Sequence, residues 1–221
     1  THPEDVKKLG LDVIAGTNDR AKFIDLLERA AQDKTPIVDV DDVWERRDFE
    51  VLPAGGMVNR TRAMLKVEDG CVNFCTYCII PYARGPVRSL SLEQAVEQTR
   101  QLAAEGYREI VLTGIEISSW GHDFKNGQSL IDLLEALSAA APEVRLRLGS
   151  LEPRTVTEDF CRRAAGEGTL CALRLWNIGG RDRRNGEVLD FLNRRLGGDV
   201  LLLPTDRRGN RRLAGHIFLE Q

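Results

Sequence analysis

Between residues 61 and 165 the apolar residues keep changing period, and that alternation restricts the chain to few folds. Ala63–Val67, Glu109–Thr113 and Arg145–Leu148 are short strand-like runs. Between and after them, helical spacing takes over. Leu92, Ala95, Val96, Thr99, Leu102 and Ala103 share one helical face, with Ser91 and Gln94 spaced as a capping box and Gly106 as the stop. Leu130–Ala140 and Thr155–Ala165 read as two more helices. Strand and helix in turn build a parallel sheet with helices packed on it. The expected fold class is therefore α/β, here as part of a (β/α) barrel. In such barrels chemistry gathers where strands end. Cys71, Gly114 with Glu116, and Ser150 with Glu152 each follow the end of an expected strand.

The first of these points carries the strongest chemistry. Cys71, Cys75 and Cys78 fall within eight residues as C-x3-C-x2-C. Thiolates so spaced in a loop can converge on a soft metal or an iron–sulfur cluster, and three ligands leave one coordination position for another group. Zinc with a remote fourth ligand, a disulfide, or a chance grouping are the other readings. Zinc sites usually come as two separated pairs, often with His, whereas Cys161 and Cys171 are isolated and no His lies near the motif. An odd count of five cysteines argues against a disulfide framework and suits a reducing cytoplasm.

Composition excludes some functions and suggests none. No apolar run is long enough to span a membrane, and no signal-peptide pattern opens the chain. The net charge of −3 gives no basic footprint for nucleic acid. The charge is uneven, with 13 acidic against 8 basic side chains in residues 1–59 and 10 basic against 7 acidic in residues 166–221.

Outside the alternating region the pattern weakens. Residues 3–9 have a short helical pattern, Leu11–Ala15 reads as a buried strand, and Thr17, Asn18 and Asp19 are cap-type residues before a helix over Ala21–Ala31. Residues 36–60 read as an acidic linker broken by Pro53-Ala54-Gly55-Gly56. No lysine follows Lys125, and Arg181–Arg184, Arg194-Arg195, Arg207-Arg208 and Arg211-Arg212 show no periodicity. Residues 166–221 are expected to be a divergent or out-of-frame tail, with a basic RNA-binding tail as the competing reading.

The stretch Leu65-Lys66-Val67-Glu68-Asp69-Gly70-Cys71 through Cys78-Ile79-Ile80-Pro81-Tyr82-Ala83-Arg84-Gly85 resembles the radical S-adenosylmethionine tRNA methylthiotransferases. Leu112–Ser119 and Ser150–Pro153 match the same family, and the likeness is greatest to the branch acting on N6-threonylcarbamoyladenosine. The resemblance implies that Cys71, Cys75 and Cys78 hold a 4Fe–4S cluster whose unique iron takes the amino and carboxylate groups of S-adenosylmethionine. It implies cofactor contacts for Tyr77 (adenine), Gly114 (close backbone approach), Glu116 (methionyl amino group), and Ser150 and Glu152 (ribose). Tyr77 could equally be packing, and Glu116 a solvated rim carboxylate. Arg84 and Arg88 would brace the loop or meet RNA phosphate. The implied reaction begins with one-electron cleavage of S-adenosylmethionine. The deoxyadenosyl radical then removes hydrogen from C2 of the modified adenosine beside the tRNA anticodon, and sulfur insertion and methylation follow. The implied partners are tRNA and an electron donor such as flavodoxin or ferredoxin. Residues 1–35 would be the end of an α/β N-terminal methylthiotransferase domain, and residues 61–165 the radical core of an incomplete barrel. The auxiliary 4Fe–4S cluster of that N-terminal domain has no ligands here, since residues 1–70 lack cysteine. The chain is thus expected to begin partway through that domain and to lack the later barrel units and the small C-terminal RNA-binding domain.

Overall fold

A computed structural model describes residues 3–17, 20–52, 61–166, 170–175, 200–202 and 215–218. The Pro53–Gly56 break and the arginine pairs of the tail lie outside the described residues. The chain forms two compact units, one of Thr1–Val51 with Gly70–Val87, the other of Leu52–Asp69 with Arg88–Gln221.

The second unit is built on a six-stranded sheet. Strands β3 (Arg62–Lys66), β6 (Glu109–Thr113), β7 (Arg145–Leu151) and β8 (Leu170–Leu175) are parallel neighbours in that order. β10 (Gly215–Phe218) then runs antiparallel to both β8 and β9 (Val200–Leu202). Alternation decides which side is covered. Ala63, Leu65, Ile110, Leu112, Leu146 and Leu148 are at most 2% exposed, while Arg62, Met64 and Arg145 between them are exposed. The buried face carries α4 (Leu92–Ala104), which packs on β3 and on α5 (Leu130–Ala140), and α5 in turn meets α6 (Glu158–Gly166). Leu130, Leu133, Leu134 and Leu137 of α5 lie within this layer. On the open face Glu109 pairs with Arg62 and, at 3.8 Å, with Arg147. The α/β class and parallel sheet therefore follow the apolar alternation. Among the described residues the tail contributes three strands, which its sequence pattern does not signal.

Two short strands, β4 (Glu68–Asp69) and β5 (Arg88–Ser89), pair antiparallel in this unit, so residues 70–87 form an excursion whose two ends are pinned side by side. Asp69 and Arg88, 5% and 2% exposed, pair across the ribbon at 3.6 Å, and Lys66 reaches the same carboxylate at 2.7 Å. Arg88 is thus a brace. Its burial removes it as an RNA contact.

In the first unit, α1 (Pro3–Lys7) precedes β1 (Val13–Ala15), which pairs in parallel with β2 (Ile37–Asp39) across the crossover helix α2 (Phe23–Asp33). β2 falls inside the stretch read as acidic linker. Its last residue, Asp39, and the Asp41 that follows hide a three-residue strand that β1 completes. The helix begins later than the cap-type residues suggested. A 3-10 turn, Arg20–Lys22, comes first, and Lys22 stands at the cap position of α2, where its side chain makes no capping bond.

Candidate functional site

The cysteine loop belongs to the first unit. Cys71 is buried and Cys75 and Cys78 are half-buried, and all three are free thiols. The loop has three local constraints. The Asn73 amide donates to Cys71 Sγ at 3.5 Å, Phe74 takes a left-handed backbone (φ 46°), and the Cys78 amide donates to the Cys75 carbonyl at 2.9 Å. Helix α3 (Ile80–Arg84) follows, with Pro81 in its first turn where no amide partner is lost. The three sulfurs are not gathered: among the described residues, no three His, Cys, Asp or Glu side chains lie close enough to hold a metal ion. Tyr77 is 71% exposed.

The segment read as linker grips this loop. Arg46, 6% exposed, bonds Asp41 through Nε at 2.7 Å and also through its second nitrogen, and reaches Thr17 at 2.9 Å; the Thr17 hydroxyl donates to the Ala83 carbonyl at 3.4 Å. Gly85 sits against Val43 with φ 78°. A β-carbon there would stand 2.1 Å from the Val43 carbonyl oxygen, so only glycine fits.

The strand-end residues belong to the second unit. Gly114–Glu116 leave β6, and Glu152 leaves the neighbouring parallel strand β7 at the same end. Ser150 differs from expectation: β7 runs on to Leu151, so Ser150 is a strand residue in register with Arg174. Glu116 caps the 3-10 turn Ile117–Ser119 by accepting from the Ser118 amide at 3.1 Å. The Ser118 hydroxyl accepts from the Glu152 amide at 3.0 Å, which ties the two strand ends together. The Glu152 carboxylate bonds Arg154.

Glu68, not singled out in the sequence, lies at the centre of this cluster. It is fully buried, and its Oε2 accepts from the Glu116 amide at 2.7 Å, while its Oε1 has no hydrogen-bond partner. Burial raises its pKa to about 8 against the pull of that amide bond, and the nearby Asp69 and Glu116 charges push the same way. Gly114 is squeezed against this side chain rather than held open: a β-carbon would come within 2.7 Å of Glu68 Oε2. The available sequence signal was a carboxylate flanked by Val67 just ahead of the cysteine loop. Ser89, which bonds Asp123 through its amide at 2.9 Å and its hydroxyl at 2.6 Å and accepts from Gly121, gave no signal.

The free-thiol triplet follows β4 in the chain, and the second unit carries a parallel α/β sheet. Residues 65–175 match the Radical SAM superfamily, and the chain belongs to that superfamily. Among curated proteins it is 38% identical over 161 residues to the threonylcarbamoyladenosine tRNA methylthiotransferase MtaB of Bacillus subtilis, covering 72% of this chain and 36% of that protein. The MtaB of Aquifex aeolicus is 31% identical, with 93% and 54% covered. A tRNA-2-methylthio-N(6)-dimethylallyladenosine synthase of Acetivibrio thermocellus is 34% identical, with 68% and 31% covered. The chain thus spans between about a third and a half of the length of these relatives.

The superfamily's cofactors are S-adenosylmethionine and a 4Fe–4S cluster. The donor set fits the cluster: three soft thiols in one loop, none in a disulfide, two of them partly exposed. The loop offers these donors without preassembling them, so convergence falls to binding, as in other metal sites coupled to local folding.

Proposed function

We propose that this chain carries the radical centre of a tRNA methylthiotransferase that converts N6-threonylcarbamoyladenosine beside the anticodon to its 2-methylthio derivative. The observation that carries the reading is the free-thiol C-x3-C-x2-C loop within a stretch that matches the superfamily. The substrate is inferred from the name of the Bacillus subtilis relative and from the motifs around Cys71 and Gly114. Cys71, Cys75 and Cys78 hold the cluster. When bound, the cluster supplies the electron that cleaves S-adenosylmethionine. Tyr77, Gly114, Glu116, Ser150 and Glu152 are the proposed cofactor contacts, and the geometry narrows two of them. Glu116 offers its second carboxylate oxygen, since the first caps a turn, and Glu152 must share its carboxylate with Arg154. The protein's own work is to orient the cofactor and keep water out, a proximity effect.

In this reading residues 1–35 close an N-terminal methylthiotransferase domain, residues 61–165 are the radical core within a partial barrel, and tRNA and a flavodoxin- or ferredoxin-type donor are the partners in a cytoplasmic setting. Among the described residues no helix is long and apolar enough to cross a membrane. A second reading keeps the chemistry and changes the substrate to dimethylallyladenosine tRNA, which the Acetivibrio relative favours. A ribosomal-protein substrate, or a truncated remnant that binds the cluster without turning over, completes the alternatives.

The test is anaerobic reconstitution with iron and sulfide, followed by an assay for deoxyadenosine from S-adenosylmethionine, with Cys75→Ala as control. About four irons per chain and cleavage lost in the variant are expected. Iron uptake with no cleavage would leave only the remnant. Methylthiolation of tRNA bearing one adenosine modification and not the other decides the substrate.

A further inference from the structure

Phe74 combines two unfavourable features. It is a bulky residue with a positive φ of 46°, a conformation in which a β-carbon crowds the following carbonyl. The residue is also 47% exposed, so core burial does not hold it there. Two other rings do. Trp44 stacks on it with centroids 5.6 Å apart and planes within 7°, and Tyr82 meets it edge-on at 5.7 Å and 76°. These are favoured aromatic geometries. Trp44 lies in the acidic segment before the loop, and Tyr82 in α3 after it. Phe74 lies between Cys71 and Cys75, one residue before the turn that the Cys78 amide closes on the Cys75 carbonyl.

We propose that Trp44 and Tyr82 are positioning residues for the cysteine loop: by clamping the Phe74 ring they hold the left-handed turn between Cys71 and Cys75, in a loop whose three thiols converge when a cluster binds. The proposal rests on the cluster assignment for its biological meaning, but the geometry of the clamp stands without it. Strain in a ligand loop persists only when its surroundings over-determine it, and here the over-determination comes from outside the motif. The close approach of Gly85 to Val43 brings the same segment against the loop a second time, one residue from Trp44.

Two measurements on the purified chain separate this proposal from the cluster reading. In the metal-free protein, alkylation of Cys75 and Cys78 by iodoacetamide, read peptide by peptide, should run ~10-fold faster in Trp44→Ala and near the parent rate in Trp44→Phe, which keeps the stack. In the reconstituted protein, iron loss to a chelator should speed up in the same order. Phe74→Asn, whose side chain tolerates the left-handed region, should retain iron better than Phe74→Ala. Unchanged alkylation and iron loss in Trp44→Ala overturn the proposal, as does equal behaviour of the two Phe74 variants. If the parent chain takes up no iron, the cluster reading fails while the alkylation result still decides the clamp. Parent-like circular dichroism of the variants confines the effect to the loop.

Discussion

At the scale of the residue, Glu68 has the largest consequence. Its carboxyl titrates near pH 8 in the folded chain, driven up by burial, against an ordinary value of 4.5. Between those values the folded chain holds a proton that the unfolded chain has released, so the contribution of Glu68 to stability falls as pH rises through the window and is level outside it. Glu68→Gln removes the titration but keeps an oxygen to accept the Glu116 amide. Urea unfolding at pH 5 and pH 8 should show the parent losing at least ~1–2 kcal/mol more than the variant over that span. Equal losses would mean that Glu68 ionises as an exposed carboxylate does. A carboxylate after Val67 marks the position in the sequence but not its burial. The alternation of β3 would place it on the open side, whereas it pairs with Ser89 across β4 and β5 and lies buried against Gly114.

Among the elements, α4 shows how a helix pattern can be right and still contain a flaw. Ser91 accepts from the Gln94 amide at 3.3 Å, as its spacing suggested, and Ala95, Thr99 and Leu102 face inward. Thr99 is fully buried, and its hydroxyl has no hydrogen-bond partner. Replacing that hydroxyl with a methyl of similar shape leaves packing intact and removes an unsatisfied polar atom. Thr99→Val should therefore stabilise the chain by ~1 kcal/mol in thermal or urea unfolding. A loss of stability would reveal a partner for that hydroxyl. In α5, by contrast, Asp132 accepts from the Ser129 amide at 2.7 Å and also meets Arg163 of α6 at 2.6 Å. One carboxylate both starts a helix and ties it to the next.

For the molecule as a whole, the two units differ in how much they bury. Among the described residues, the sheet unit buries a continuous apolar core around Leu65, Ile110, Leu112, Leu133 and Leu146, whereas the first unit buries Ile14, Leu26, Ala30, Cys71 and Val87 and leaves Leu9, Phe23, Ile24 and Leu27 exposed. Native-state hydrogen exchange should find the slowest amides in β6 and β7 and much faster exchange in β1 and α2. Equal protection in both would show a core in the first unit that these burials do not contain. The sequence alone determined the α/β class, most strand and helix positions from residue 62 to 166, and the cysteine triplet, because apolar period and ligand spacing are local properties. It left three things to the tertiary structure: the strand at Ile37–Asp39, the ring clamp on Phe74, and the buried Glu68 against Gly114. Each depends on residues far apart in the chain coming into contact. A short strand needs its partner, a strained loop residue needs its neighbours, and a carboxylate changes its proton affinity only when folding takes its water away.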